Sequence, residues 1–181
     1  MGNREDLIAG ARRCLEEKGW ARTTVRDISA AAGVSMAAIG YHFGSREALL
    51  NMALVEGMRE WSDEVNAALR AMDDPDASPA QRYETMWTQM IKSLNEHRTL
   101  WAASVEAMVQ AEHSPELREQ LVAGQREARE GLGMEQGHQV GSVQLALLFG
   151  VMSQWLNDPE RAPSGADVVE GLRKIVRQFD G

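Results

Sequence analysis

The chain has 181 residues, of which 44% are hydrophobic and 25% charged, and its formal net charge is -8; this composition is typical of a globular protein with a substantial core. The start of the sequence lacks the apolar segment of a secretion signal, and no run approaches the eighteen apolar residues of a membrane span, so we expect a cytoplasmic protein. The acidity lies after residue 50, because residues 1–50 hold seven Lys and Arg against six Asp and Glu.

The first predicted helix runs from Asn3, which can cap it, to Gly19, whose conformational freedom suits a helix end. Its apolar positions recur at helical spacing and predict a brace for the helices that follow, which should meet it through Val25, Ile28, Ala31 and Ile39. Cys14 falls near this apolar series, which favours a buried structural thiol over a redox sensor. As the only cysteine, it cannot form an internal disulfide.

Two short helices follow in close succession. Thr24 can cap a helix whose third position is Asp27, and Gly33 can end it, which predicts a helix over residues 25–32. Ser35 can then cap a helix over residues 36–42. Helices joined by so short a turn must cross steeply, as they do in DNA-binding helix-turn-helix units, where the second helix enters the major groove.

Four sequence pieces in this stretch carry a family resemblance: TTVRDI from Thr23, AAGVS from Ala31, YHF from Tyr41 and SREALL from Ser45. In order and spacing they resemble the DNA-binding domain of the tetracycline repressor family. The resemblance covers roughly the first third of the chain. It implies an all-α fold with an N-terminal three-helix helix-turn-helix DNA-binding domain, residues 1–46, and a C-terminal helical ligand-binding and dimerisation domain, residues 47–181.

The resemblance also implies which positions would contact DNA: Thr24, Val25, Arg26, Ser35, Met36, Ala37, Ala38, Tyr41, His42 and Arg46. Donors suited to phosphate oxygens are present in Ser35, Tyr41, His42 and Arg46. Met36, Ala37 and Ala38 can touch thymine methyls but offer no bidentate hydrogen bonds. Many family members have Lys and a polar residue where this chain has Met36 and Ala38, and many have Tyr where it has Gly40. We therefore expect weaker direct readout and more dependence on DNA shape or on Arg26.

A long amphipathic helix is predicted from Ser45 to about Leu69, and the segment 73–79 then reads as a loop. Three helices should follow, over about 79–97, 99–112 and 114–130. The glycine-rich segment 131–141 predicts a flexible connection. Residues 143–156 are apolar nearly all round, which predicts a helix covered on more than one side, and Ser164 can cap a last amphipathic helix.

Large apolar side chains are concentrated after residue 80, and flexible Met beside rigid aromatic walls suits a broad apolar or amphipathic ligand. Filling of the core is the competing interpretation for each of them. The candidate ligand-binding residues are Tyr83, Trp87, Met90, Trp101, Val105, Met108, Phe149 and Met152.

The last two predicted helices suggest that part of the core lies between subunits, in a two-fold four-helix bundle of a homodimer, which the family resemblance also implies. The dyad would make two recognition helices read two half-sites of a pseudo-palindrome. The candidate interface residues are Val143, Leu147, Val151, Trp155, Val168, Leu172, Ile175 and Phe179.

These patterns favour a homodimeric repressor that a small effector releases from double-stranded operator DNA. The alternative is a helical ligand-binding or protein-interaction module whose DNA reader has degraded. An enzyme is disfavoured, because the four histidines are isolated from one another and from Cys14 in the sequence and no phosphate-binding or nucleophile motif is present. We therefore expect neither a metal nor a cofactor.

Overall fold

The computed structural model describes residues 3–72, 74–133 and 136–179, and these residues form helices and connecting turns with no strand among them. The all-α prediction is confirmed. The helices are α1 (Asn3–Lys18), α2 (Val25–Ala32), α3 (Met36–Phe43), α4 (Arg46–Ala71), α5 (Pro79–Glu96), α6 (Arg98–Gln110), α7 (Pro115–Gly133), α8 (His138–Asn157) and α9 (Gly165–Arg177). No helix of the described residues is both long and apolar enough to cross a membrane.

Local capping explains why the first helices end at or within one residue of the predicted positions. Gly19, Gly33 and Gly44 all have positive φ angles, between 66° and 76°, and each ends a helix. α1 includes Asn3, the residue predicted as its cap. α2 has the predicted bounds, and α3 extends one residue further than predicted, to Phe43.

The prediction of a flexible connection over residues 131–141 is wrong where the structure describes this segment. α7 continues to Gly133, and α8 begins at His138, five residues before the predicted start; Met134 and Glu135 lie outside the described residues. A Cβ added to Gly141 would lie 1.9 Å from the carbonyl oxygen of Arg129 and 3.0 Å from Gly133 N. These glycines therefore allow the backbones of α7 and α8 to approach each other closely. A glycine-rich composition alone does not show whether the glycines permit such a close approach or a flexible connection.

The loop predicted after α4 agrees with the structure in the part that is described, since α4 ends at Ala71 and α5 begins at Pro79. Asp73, the first residue of that predicted loop, lies outside the described residues. Ser78 caps α5: its Oγ accepts a hydrogen bond from Gln81 N at 3.3 Å, and Gln81 Oε1 accepts one from Ser78 N at 2.9 Å. This reciprocal pair satisfies two backbone donors at the helix start.

The chain packs as two compact units. Unit 1 comprises residues 1–60 and 97–145, and unit 2 comprises residues 61–96 and 146–181, so that α4 and α8 each contribute to both. The boundary predicted between residues 46 and 47 lies in the first turn of α4, and the functional division into two domains remains a prediction.

In unit 1, α1 packs on α2, α3 and α6, and its buried face includes Leu7, Ala11 and Leu15, all 0% exposed. Ile28 and Ile39 complete this core, as predicted, whereas Val25 and Ala31 are only half-buried. α1 and α2 approach closely at Gly10, where an added Cβ would lie 2.9 Å from Ala32 N.

In unit 2, α5 packs on α9. Trp87, Met90 and Leu94 of α5 are buried, as are Val168 and Val169 of α9. The two helices meet at Gly165, where an added Cβ would lie 2.8 Å from Thr88 N and 2.9 Å from Glu84 O. The sequence pattern assigned the apolar face of α9 to a dimer interface. In the structure, the first half of that face is buried within the same chain.

Candidate nucleic-acid interface

α2 begins with a complete capping box. The Oγ1 of Thr24 accepts a hydrogen bond from Asp27 N at 3.2 Å, and Asp27 Oδ2 accepts hydrogen bonds from Thr24 N at 2.9 Å and from the Thr24 hydroxyl at 2.6 Å. This pairing satisfies two backbone donors at the helix start and sets the direction in which α2 leaves the preceding turn.

An ion pair reinforces that cap. Lys18, the last residue of α1, donates a hydrogen bond from Nζ to Asp27 Oδ1 at 2.6 Å. This hydrogen bond and those from Thr24 hold the pKa of Asp27 well below its usual range. The same bond to Asp27 raises the pKa of Lys18. The end of α1 and the start of α2 are thus joined through one carboxylate.

The turn between α1 and α2, residues 19–24 and called here the α1–α2 turn, is held by polar contacts on several sides. The fully buried hydroxyl of Thr23 donates to the carbonyl oxygens of Gly19 at 2.7 Å and Cys14 at 3.1 Å. Trp20, 2% exposed, packs in the core. Burial raises the pKa of the Cys14 thiol, which agrees with a structural role for this side chain.

α3 presents an exposed face opposite its one buried residue, Ile39. Met36 is 55% exposed and Tyr41 is 86% exposed, and Ser35 and Ala37 are exposed beside them. Ser35 precedes the helix in extended conformation, but its side chain makes no capping hydrogen bond. Its hydroxyl is therefore available to a partner outside the chain.

The other predicted contacts on this side of unit 1 differ in accessibility. Arg26 is exposed, and its guanidinium makes no hydrogen bond or ion pair with the described residues. Val25, Ala38 and His42 are half-buried. The ring of His42 makes edge contacts with Tyr41, at 4.9 Å between centroids, and with Phe43, at 6.2 Å.

Two predicted contact residues have their donors engaged within the chain. The hydroxyl hydrogen of Thr24 is used in the capping box. Arg46 donates to the carbonyl oxygens of Thr23 and Trp20 and pairs with Glu47 at 2.9 Å. The geometry of Arg46 supports a brace between the start of α4 and the α1–α2 turn, and a phosphate contact from it stays a prediction.

Sequence reasoning missed the residues that hold α2, α3 and the α1–α2 turn in place. Lys18 and Thr23 fix the α1–α2 turn, and the guanidinium of Arg4 lies over the ring of Phe43, 5.5 Å from its centroid. Glu106 accepts a hydrogen bond from Ala21 N at 2.8 Å. The one sequence signal available was Thr23 itself, a second Thr beside the capping Thr24.

The predicted ligand-binding residues are divided between the two units. Tyr83, Trp87, Met90, Phe149 and Met152 belong to unit 2, and Trp101, Val105 and Met108 belong to unit 1. In unit 2, Trp87 is 1% exposed and its ring makes an edge contact with Tyr83 at 6.3 Å. Met90, Met152 and Trp101 are also buried, Tyr83, Phe149 and Met108 are half-buried, and Val105 is exposed.

The predicted interface residues fall into three groups by exposure. Val151 and Val168 are buried within the protomer. Leu147, Trp155 and Leu172 are half-buried, and the indole nitrogen of Trp155 donates to Pro163 O at 3.0 Å. Val143, Ile175 and Phe179 are exposed, the last at 82%, as is Val176, which was not among the predicted interface residues.

Two family models match the chain. The model for bacterial regulatory proteins of the tetR family matches residues 7–53, which contain α2 and α3. The model for the tetracyclin repressor-like C-terminal domain matches residues 78–178, more than half of the chain.

Named relatives match parts of the chain. The HTH-type transcriptional repressor AcnR of Corynebacterium efficiens is 43% identical over 49 residues, 27% of this chain and 26% of that protein. The HTH-type transcriptional regulator BetI of Stenotrophomonas maltophilia is 30% identical over 125 residues, 63% of this chain and 57% of that protein. The chain thus aligns with about a quarter of the first relative and little more than half of the second.

Among solved structures, the multidrug binding protein EbrR complexed with imidazole superposes with a TM-score of 0.75 at 23% identity, covering 96% of this chain and 94% of that one. The same protein complexed with proflavin gives a TM-score of 0.74. At this level of identity the likeness establishes the fold.

Proposed function

Because the chain belongs to the tetracycline repressor family of bacterial regulatory proteins, we propose that it is a cytoplasmic, homodimeric repressor that a small apolar or amphipathic ligand releases from a pseudo-palindromic operator. The observation that carries the proposal is the exposed face of α3. A helix that buries Ile39 on one side leaves Met36 and Tyr41 in solvent on the other. Large exposed apolar groups beside free polar donors are typical of a surface that meets a partner.

On this face the contacts divide by chemistry. Arg26, Ser35 and Tyr41 have donors that suit phosphate oxygens and would set the register of the protein on the duplex. Met36 and Ala37 would read bases through apolar contact with thymine methyls. We therefore expect a salt dependence that is shallow for a DNA-binding protein and a sequence preference that owes much to groove shape.

Dimerisation is supported by the end of α9 and the residues that follow it. Ile175, Val176 and Phe179 expose large apolar side chains in a short stretch after the buried Val168 and Val169. A second copy of this surface, related by a two-fold axis, would cover them. The same axis would direct two copies of α3 at half-sites about 34 Å apart, one turn of the duplex.

An effector site is supported by the apolar composition of unit 2. Trp87, Met90 and Met152 are buried there beside the half-buried Tyr83 and Phe149. Flexible Met side chains can repack around ligands of different shape. EbrR, which shares the fold, binds proflavin and imidazole, and we extend small-molecule binding to this chain. The ligand would act by favouring a conformer in which the two copies of α3 no longer match the half-site spacing.

Selection of DNA from a random duplex pool, followed by titration of the selected duplex at several salt concentrations, tests DNA binding. Arg26→Ala should weaken binding and reduce the salt slope by about one, because one phosphate contact is lost. Arg70→Ala, which also removes an exposed arginine but lies in the last turn of α4, is the matched control and should bind as the wild type does. Failure of the wild-type protein to form any salt-sensitive specific complex would refute the proposal.

A second function has one observation in its favour. Met36, Ala37 and Ala38 provide no hydrogen-bond donor for base edges, and Gly40 leaves open space where a side chain could stand. These features suit a ligand-binding or protein-interaction module whose DNA reader has degraded. If Arg26→Ala and Tyr41→Ala leave both DNA affinity and target-gene expression unchanged while an apolar ligand still binds, this second function replaces the first.

A further inference from the structure

The α1–α2 turn receives one hydrogen-bond acceptor from far along the chain. Glu106, on α6, accepts a hydrogen bond from Ala21 N through Oε2 at 2.8 Å. Its other carboxylate oxygen lies 3.8 Å from the position that a Cβ on Gly19 would occupy. The carboxylate thus covers the backbone of the turn at the point where α1 has ended and α2 has not begun.

α6 itself is fixed near its start against another helix of unit 1. A Cβ added to Gly57 of α4 would lie 3.0 Å from Cδ1 of Leu100, so the two helices approach closely there. Leu100 is 3% exposed, and Ala103 and Ala107 are fully buried along the same helix. Glu106 therefore projects to the turn from a helix that packs on α1 and meets α4 at Gly57.

Other polar groups of the α1–α2 turn have hydrogen-bond partners of their own. Thr23 and Arg46 engage the carbonyl oxygens of the turn, and Asp27 engages Thr24 N. Ala21 N is a backbone donor whose partner is Glu106, and a carboxylate makes a stronger acceptor than a neutral oxygen. Loss of that partner would leave Ala21 N to solvent and loosen the segment that leads into Thr24.

We propose that Glu106 is a positioning residue for DNA binding: from α6 it holds the α1–α2 turn, and through the turn it sets the start of α2 and the placement of Arg26. The inference rests on the proposed function, since it concerns how the helix-turn-helix is presented to the duplex. A displacement of α6 would therefore also affect the helix-turn-helix, because movement of Glu106 away from Ala21 breaks this hydrogen bond.

The test compares Glu106→Ala, Glu106→Gln and the control Gln110→Ala, which alters an exposed side chain one turn further along α6. Amide hydrogen exchange at Ala21 should be at least about tenfold faster in Glu106→Ala than in the wild type. Affinity for the duplex that the wild type selects should fall about tenfold in Glu106→Ala. Glu106→Gln retains an acceptor oxygen, so it should restore most of the protection of Ala21 N from exchange and most of the DNA affinity. Gln110→Ala should match the wild type in both measurements.

Rescue by Gln separates the hydrogen bond from the charge, since both substitutions remove the charge but only Ala removes the acceptor, and hydrogen exchange at Ala21 reports on that bond directly. If the wild type selects no duplex, the proposed function fails and this inference with it. If the wild type selects a duplex that Glu106→Ala binds equally well, or that Glu106→Gln binds as weakly as Glu106→Ala, only this inference is overturned.

Discussion

Replacement of Gly141 by Ala should destabilise the protein although Ala is the better helix former. A Cβ at this position would lie 1.9 Å from Arg129 O and 2.8 Å from the carbonyl carbon of the same residue. A carbon atom and a carbonyl oxygen normally approach no closer than about 3.3 Å, so α7 and α8 would have to separate by roughly 1.4 Å. Both near atoms belong to backbone, and no side-chain rotation can relieve the contact.

The magnitude follows from two opposed terms. Overpacking of a close contact costs about 1–3 kcal/mol and occasionally more, whereas replacing a helical glycine by Ala gains about 1 kcal/mol. Since the overlap is with backbone, we expect a net loss near the upper end, about 2 kcal/mol in the free energy of unfolding. For a chain of this size that corresponds to a melting temperature lower by roughly 5 °C.

Gly124→Ala is the matched control. Gly124 lies within α7, and no atom would lie within 4 Å of an added Cβ, so this substitution should raise the free energy of unfolding by up to about 1 kcal/mol. Urea unfolding monitored by circular dichroism at several protein concentrations measures both variants. Equal stability of Gly141→Ala and Gly124→Ala would refute the close crossing of α7 and α8 at Gly141.

Three further predictions concern the helix-turn-helix and the proposed dimer interface. The pKa of Asp27 is lower in the folded chain than its ordinary value of 3.8. The ionised carboxylate therefore contributes its full stabilisation above that value, and the contribution is lost as the pH falls. Between about pH 5 and about pH 3 the melting temperature should drop more in the wild type than in Asp27→Asn. Gly40→Ala should raise the melting temperature by about 3 °C, since the added methyl meets no atom within 4 Å; an unchanged or lower value in the free protein would contradict an open site. Ile175→Asp should weaken self-association by about tenfold or more in sedimentation velocity, whereas Val122→Asp, at an exposed valine of α7, should leave it unchanged; equal effects of the two would argue against α9 as the interface.

Elements whose limits depend on local chemistry could be predicted from the sequence. The cap at Thr24 and the left-handed Gly33 lie within the same ten residues as the helix they bound, and α2 has the predicted limits. The all-α fold and the family followed in the same way from short pieces in a fixed order. Each of these inferences used residues that are neighbours along the chain.

Features that depend on a distant partner could not be predicted. Gly141 has the same chemistry whether it bends a linker or admits Arg129 O, and only the path of α7 decides between them. Arg46 has suitable donors for phosphate, yet its acceptors at Trp20 and Thr23 lie more than twenty residues away in sequence. The Ala21 to Glu106 hydrogen bond joins residues 85 positions apart.

The placement of α3 depends on the elements behind it. It has eight residues, one of them Gly40, and buries only Ile39, and so short a helix is not stable alone. Its position must come from α1 and α2, which pack on it, and from the α1–α2 turn, where Lys18, Arg46 and Glu106 converge. The exposed face of α3 offers few hydrogen bonds of its own, so small shifts of that turn should change DNA affinity as much as substitutions on the face itself. Variants with impaired DNA binding should therefore map both to the α1–α2 turn and to the exposed face of α3.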